Sequence, residues 1–195
     1  MSTKDTPKCK ILNTAARLFR EQGYHATGLN QIIKESGAPK GSLYHYFPNG
    51  KEELAVEAVR ITKDKASAAV KETLHSHPDA AVAIQAFFIG FKEYIMNRKE
   101  NEEEPLPIGL LALETSQMSE PLRVICQQTY EEWQEIFKMK LISAGMEHKD
   151  AADKSLLIIM MLEGAVTLSA AKDSSLPFEV IAEQIPSLLH NVDSI

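Results

Sequence analysis

Between Gly37 and Phe47 the chain reads Gly-Ala-Pro-Lys-Gly-Ser-Leu-Tyr-His-Tyr-Phe. The side chains with chemistry in this stretch are Lys40, Ser42, Tyr44, His45 and Tyr46, and they suit non-covalent recognition. Gly37 can take the left-handed backbone conformation that a tight helix-to-helix turn requires, having no Cβ to clash. Pro39 then opens the next helix, where a missing N–H is harmless and its fixed φ is already helical. Leu43 and Phe47 stand four apart and share one helix face, which leaves Lys40, Ser42, Tyr44 and His45 off it. A short helix with so thin an apolar stripe is poorly suited to a core. It is well suited to lie against a charged, flat-edged partner. The stretch reads as the turn and second helix of a helix-turn-helix.

Covalent and metal chemistry find little support. Lys40 precedes Gly41, the reverse of the order in a phosphate-cradling loop. There is no Gly-x-Ser-x-Gly elbow, no His-Glu-x-x-His pair and no dinucleotide fingerprint. His45 has no His or Cys at ligand spacing. The expectation is therefore a protein that is not an enzyme, with no metal and no cofactor.

The charge is unevenly spread. Residues 1–51 carry eight Lys or Arg against three acids, a net +5, while the remainder carries −11, for a chain total of −6. An acidic chain argues against a nucleic-acid partner as a whole; the partition reverses this for the N-terminal quarter and keeps the rest away from phosphates. The 195 residues, 44% hydrophobic and 25% charged, have an ordinary globular composition. The two cysteines, Cys9 and Cys126, are too few for a disulfide framework and fit a reducing cytoplasm. No signal-peptide pattern opens the chain. The longest apolar run, Leu156 to Leu162, falls far short of the roughly 20 residues of a membrane span. A cytoplasmic protein with no membrane partner is expected.

The elements that must position the recognition stretch follow from periodicity. Lys8 to Gln22 is predicted as an amphipathic helix on Ile11, Leu12, Ala15, Ala16, Leu18 and Phe19, ended by Gly23. Thr27 is expected to cap a second helix on Leu29, Ile32 and Ile33. Leu43 and Phe47 should pack on Ile11, Ala15, Leu18 and Ile32. After Pro48-Asn49-Gly50, a long fourth helix is predicted from Lys51 to about Leu74, with acids in its first turn. Further helices are expected over 80–97, 108–115, 121–144 and 150–171, with a last one on Phe178, Ile181, Ile185, Leu188 and Leu189. The acidic, proline-bearing stretch from Arg98 to Pro107 is expected as a solvated loop. No stretch has the period-two pattern of a strand. The fold class is all-α: a three-helix head (residues 1–50) joined by the helix from Lys51 to a larger helical domain (51–195), about nine helices in total.

The order helix, Gly-Tyr, Thr-x-x-x-x-Ile, Gly-x-x-Lys-Gly-Ser-Leu-Tyr-x-Tyr-Phe, Lys-Glu-x-Leu over about residues 8–60 resembles the head of TetR/AcrR-family transcriptional regulators. The turn Phe-Pro-Asn-Gly-Lys, one residue longer than the commoner form, is similar to the LmrA/YxaF-type branch. Gly28 and Pro39 depart from the usual pattern: Ser or Thr is usual at the first place, and a Ser often caps the recognition helix at the second. The resemblance implies phosphate or base contacts at Thr27, Asn30, Lys40, Gly41, Ser42, Tyr44, His45, Tyr46 and Lys51. The chemistry agrees. Gly41 and Ser42 are small enough to let the backbone near base edges. Lys40 can reach guanine O6 or N7 or a phosphate. Tyr44 and Tyr46 can donate to phosphates or pack on a thymine methyl, and Lys51 lies at a helix start whose free amides favour an anion.

The larger domain is expected to do two jobs. Its last two helices carry enough apolar surface to face both a core and a second subunit; the resemblance implies a homodimer on a palindromic operator. Phe87, Phe88, Phe91, Tyr94, Met118, Trp133, Phe137, Met160 and Met161 could line a pocket, though each also suits ordinary core; Met adapts to varied apolar ligands. The expected function is a DNA-binding repressor of double-stranded operator DNA, released by a small apolar or aromatic inducer. The competing reading is a constitutive architectural DNA-binding protein, separated from the first by responsiveness to a ligand.

Overall fold

The computed structural model describes residues 6–96 and 106–190, with the side chains of 95, 96 and 190 excepted. Among them are nine helices and no strand: α1 (Pro7–Ala26), α2 (Leu29–Ser36), α3 (Lys40–Tyr46), α4 (Lys51–His75), α5 (Ala80–Met96), α6 (Ile108–Thr115), α7 (Glu120–Ser143), α8 (His148–Lys172) and α9 (Leu176–His190). All but the last residues of the expected acidic loop lie outside the described residues.

The helix boundaries have local causes. Thr6 caps α1, its side chain accepting from the Cys9 amide, and Pro7 follows at the first helical position. The expected end of α1 at Gly23 is a kink instead. Gly23 has φ 81° and ψ 170°, and one more turn of helix follows it to Ala26. The expected cap at Thr27 is corrected as well. Gly28 precedes α2 with no side-chain cap, and Thr27 Oγ1 donates backwards to the Gly23 carbonyl at 2.8 Å. Gly37, at φ 64° and ψ 11°, makes the left-handed turn into α3 that the sequence predicts. Pro39 stands just before α3 as its cap residue, in an extended conformation.

The chain divides into two compact units. In the first, residues up to 65 together with 106–129 of the described chain, α1 packs on α2, α3 and α6. Ile11, Ala15, Leu18, Ile32, Leu43 and Phe47 are all buried there, each at most 2% exposed, as the apolar spacing predicts. In the second, residues 66–96 and 130–190, α9 packs on α5 and α8 around a core that includes Phe88, Phe137, Ile158, Leu162, Phe178 and Ile185. Helix α6 therefore joins the head, ninety residues away in sequence. Periodicity could not foresee that, because it reports which face is apolar and not what covers it.

Helix α8 is long and apolar enough to cross a membrane by length and composition. Its Ile158, Ile159, Leu162 and Ala165 are instead buried in the second unit's core. Leu156, Met160 and Leu168, at three- and four-residue multiples along the opposite face, remain about half exposed.

Candidate nucleic-acid interface and ligand core

Helix α3 has one buried face and one open face. Leu43 and Phe47 are buried, and Lys40, Gly41, Tyr44, His45 and Tyr46 are exposed, with Ser42 half-buried. Tyr44 is 46% and Tyr46 37% exposed, too open for core filling. The His45 and Tyr46 rings meet edge to face at 4.9 Å, which restrains both on the surface. Asn30, on α2, is exposed too. Asn30, Lys40, Tyr44, His45 and Tyr46 thus offer amide, lysine, hydroxyl and imidazole groups open to solvent, beside the small Gly41 and the half-buried Ser42, chemistry that suits phosphates and base edges.

Two residues of the expected set are turned inward. Thr27 is 1% exposed and committed to the Gly23 carbonyl. Lys51 Nζ donates to the carbonyls of Tyr24 and Thr27, both at 3.0 Å, and lies 4.3 Å from the Tyr24 ring centroid. Burial lowers the Lys51 ammonium below its ordinary range, against the opposing pull of the Glu114 charge. A lysine at a helix start reads as an anion ligand in sequence. Here two carbonyls, Tyr24 in the kinked end of α1 and Thr27 just after it, accept its hydrogen bonds.

Glu114, at the end of α6, could by sequence pair with a polar ligand group or reach solvent; its partner is instead the end of α1. Its Oε2 accepts the Tyr24 amide at 2.8 Å, and its backbone carbonyl lies 3.0 Å from His25 Nε2. Between α6 and α7, Ser119 Oγ donates to Glu52 Oε2 at 2.7 Å. The only sequence signal was a carboxylate inside an apolar helix.

The expected ligand residues divide. Phe87, Phe88, Phe91, Tyr94, Trp133, Phe137 and Met161 lie in the second unit. Phe87 meets Phe88, Phe91 and Phe137 at centroid separations of 5.3, 5.8 and 5.1 Å, and Phe91 stacks on Phe178 at 5.3 Å. Phe91 also meets Tyr94 at 5.8 Å. Met118 is not brought to them: it belongs to the first unit and is 71% exposed. Met160 is on the open face of α8, 55% exposed.

Beside the aromatic cluster the core carries polar groups. Tyr130 meets Trp133 edge to face at 5.9 Å and donates its hydroxyl proton to Glu163 Oε1 at 2.9 Å. Burial raises the Glu163 carboxyl above the usual carboxylate range, and the Tyr130 bond partly offsets this. Trp133 Nε1 is buried with no acceptor among the described protein atoms. A cleft of about 450 Å³ lies elsewhere in this unit, lined by Asp79, Ala80, Leu141, Gly145, Met146 and Leu189 among others. No group of three or more metal-ligating side chains occurs among the described residues.

A short helix seated by Leu43 and Phe47, with its polar side chains open to solvent after a left-handed glycine turn, is the second helix of a helix-turn-helix head. The chain belongs to the TetR family of bacterial transcriptional regulators. The family model for the N-terminal part of that family matches residues 11–58, and one described as "Transcriptional regulator LmrA/YxaF-like, C-terminal domain" matches residues 66–184. The chain is 45% identical to the HTH-type transcriptional regulator YxaF of Bacillus subtilis, over 97% of this chain and 98% of that protein. It is 46% identical to the regulator LmrA of the same organism, over 92% of this chain and 95% of that one. A TetR transcriptional regulator from Legionella pneumophila shares the fold at a TM-score of 0.79 and 23% identity, over 96% and 98% of the two chains. The protein is a transcriptional regulator and not an enzyme.

Proposed function

We propose that this regulator is a homodimeric, cytoplasmic repressor that binds a palindromic operator in double-stranded DNA and leaves it when a small apolar or aromatic inducer binds. Residues 1–50 serve as the DNA-binding domain and 51–195 as the ligand-binding and dimerisation domain. The observation that carries the reading is the division of α3, with Leu43 and Phe47 buried and Lys40, Tyr44, His45 and Tyr46 open. Asn30, Lys40, Gly41, Ser42, Tyr44, His45 and Tyr46 make the DNA contacts in this reading. Thr27 and Lys51 are left out because their polar atoms are engaged internally.

The inducer site is assigned to the aromatic cluster of Phe87, Phe91, Tyr94 and Trp133, walled by Phe88, Phe137 and Met161. The buried Trp133 Nε1, without an acceptor among the described residues, supports a ligand that offers one, since an unmet buried donor costs about 1–3 kcal/mol. The half-exposed Leu156, Met160 and Leu168 of α8 support a dimer, because a monomer would leave this apolar stripe in water.

The test is selection of bound duplexes from a random pool, followed by challenge of the selected complex with a panel of small aromatic compounds. A palindromic consensus released by some of them, with a change in the fluorescence of Trp133, the chain's single tryptophan, is the expected result. Binding that no compound weakens favours the constitutive architectural reading.

A further inference from the structure

We propose that Glu114 is a positioning residue for operator binding: its carboxylate latches the kinked end of α1 to α6 and fixes the pose in which the head is offered to DNA. The inference rests on the dimeric, palindrome-binding reading above and adds a residue to it.

The geometry is specific to this place in the chain. Gly23 has a backbone conformation, φ 81° with ψ 170°, that is essentially confined to glycine. A Cβ at Gly23 would stand 2.7 Å from Glu114 Oε1. The kink therefore brings backbone against the carboxylate, and the next amide, Tyr24 N–H, donates to Oε2 at 2.8 Å. A bond from an amide to an ionised carboxylate is among the stronger hydrogen bonds available to a protein.

The same short segment is held from the other side. Lys51, in the first turn of α4, donates to the carbonyls of Tyr24 and Thr27, and Thr27 returns a bond to Gly23. His25 reaches the Glu114 carbonyl. Residues 23–27 thus lie between α4 and α6, bound to both through backbone atoms. The α1–α2 connection carries the recognition helix, so its seating sets the direction of α3.

A fixed pose matters most when two heads must engage together. The second half-site is then bound as an intramolecular step whose gain depends on how well the second head is pre-placed. Freeing residues 23–27 from α6 adds orientational freedom that is lost again on binding both half-sites. Engagement of a single half-site needs no such alignment. The latch should therefore govern the ratio of affinities for a full palindrome and for one half-site, which simple loss of folded protein would not change.

The experiment uses the full chain and two duplexes: an operator selected from a random pool with the wild-type protein, and the same duplex with one half-site scrambled. Affinity for each is read by fluorescence anisotropy at one salt concentration. The wild type should prefer the full palindrome at least about tenfold. Glu114→Ala should weaken binding to the palindrome about tenfold and to the scrambled-half duplex less than about twofold. Glu114→Gln, which keeps an acceptor for Tyr24 N–H, should restore most of the preference. The Tyr24 amide proton resonance should move upfield in the Ala variant and far less in the Gln variant. Leu113→Ala, an exposed neighbour on α6, should leave both affinities unchanged. If Glu114→Ala does not fold, Glu114→Asp, one methylene too short to hold the same bond, carries the comparison. A Glu114→Ala protein that keeps the wild-type preference, or weakens both duplexes equally, overturns the proposal. A wild type without any preference for the palindrome overturns the dimeric reading, and the latch with it.

Discussion

Tyr130 and Glu163 are joined by a hydrogen bond of 2.9 Å from phenol to carboxylate, next to an indole N–H that has no acceptor among the described residues. A carboxylate here is held against its preference, since burial raises its pKa and the Tyr130 bond only partly compensates. The folded chain then binds this proton more tightly than the unfolded chain. The associated stability is complete below the unfolded pKa and is lost as pH rises through the folded one. Glu163→Gln keeps an acceptor for Tyr130 and removes the titration. Its melting temperature should match the wild type near pH 4.5 and exceed it at pH 7.5 by about 2–4 °C, at fixed protein concentration. Parallel melting curves at several pH values check this; a constant difference would show that the carboxyl titrates normally.

Lys51 yields a prediction opposite in kind to the one its position suggests. Its ammonium is held by two carbonyls and an aromatic face within the head. Lys51→Ala should lower stability by about 1–3 kcal/mol, because two partly buried acceptors lose their donor. Its effect on the salt dependence of DNA binding should be nil, whereas removing a phosphate contact would lower the salt slope by about one unit per half-site. Denaturant titration and binding at two salt concentrations separate the two outcomes.

For the dimer, the informative residues are those left open on α8. Leu156→Glu or Met160→Glu should give a monomer in sedimentation velocity with the helical circular dichroism retained, since these side chains are 47% and 55% exposed. Ile185→Glu should instead unfold the second unit, because Ile185 is fully buried in its core. A dimer that survives both α8 substitutions would move the interface elsewhere.

Much of this molecule is legible in its sequence, for identifiable reasons. Helices α1 and α9 show clear apolar periodicity, and α4, α7 and α8 are long, at 24 or 25 residues, so that little choice of secondary structure is left. Gly37 and the pair Leu43 and Phe47 specify the turn and the seated face of α3 through backbone and spacing alone. The misread residues, by contrast, are polar ones with two possible uses. Thr27 looks like a cap and Lys51 like an anion ligand, until the kink at Gly23 offers carbonyls to both. The carboxylate that meets the kink, Glu114, is remote in sequence. Met118 and Met160 resembled the other pocket residues in type, but periodicity does not say which apolar face is covered; both are exposed. Tertiary partners decided each of these cases, and local propensity does not contain them.

The last prediction separates reading from positioning on the DNA. Lys40 begins α3, is exposed, and adjoins the small Gly41 and Ser42 that let backbone approach base edges. If it reads a guanine, Lys40→Ala should cost about 1–3 kcal/mol on the selected operator and relax preference at one base pair per half-site. On scrambled DNA the loss should be much smaller, because a base contact contributes little where the base is wrong. Lys40→Ala and the wild type are compared on both DNAs at two salt concentrations. Equal losses on both, with a salt slope lowered by about one unit per half-site, would make Lys40 a phosphate contact. Specificity would then fall to Asn30, Tyr44, His45 and the deformability of the operator, and Tyr44→Phe and Asn30→Ala would become the variants that relax the selected consensus.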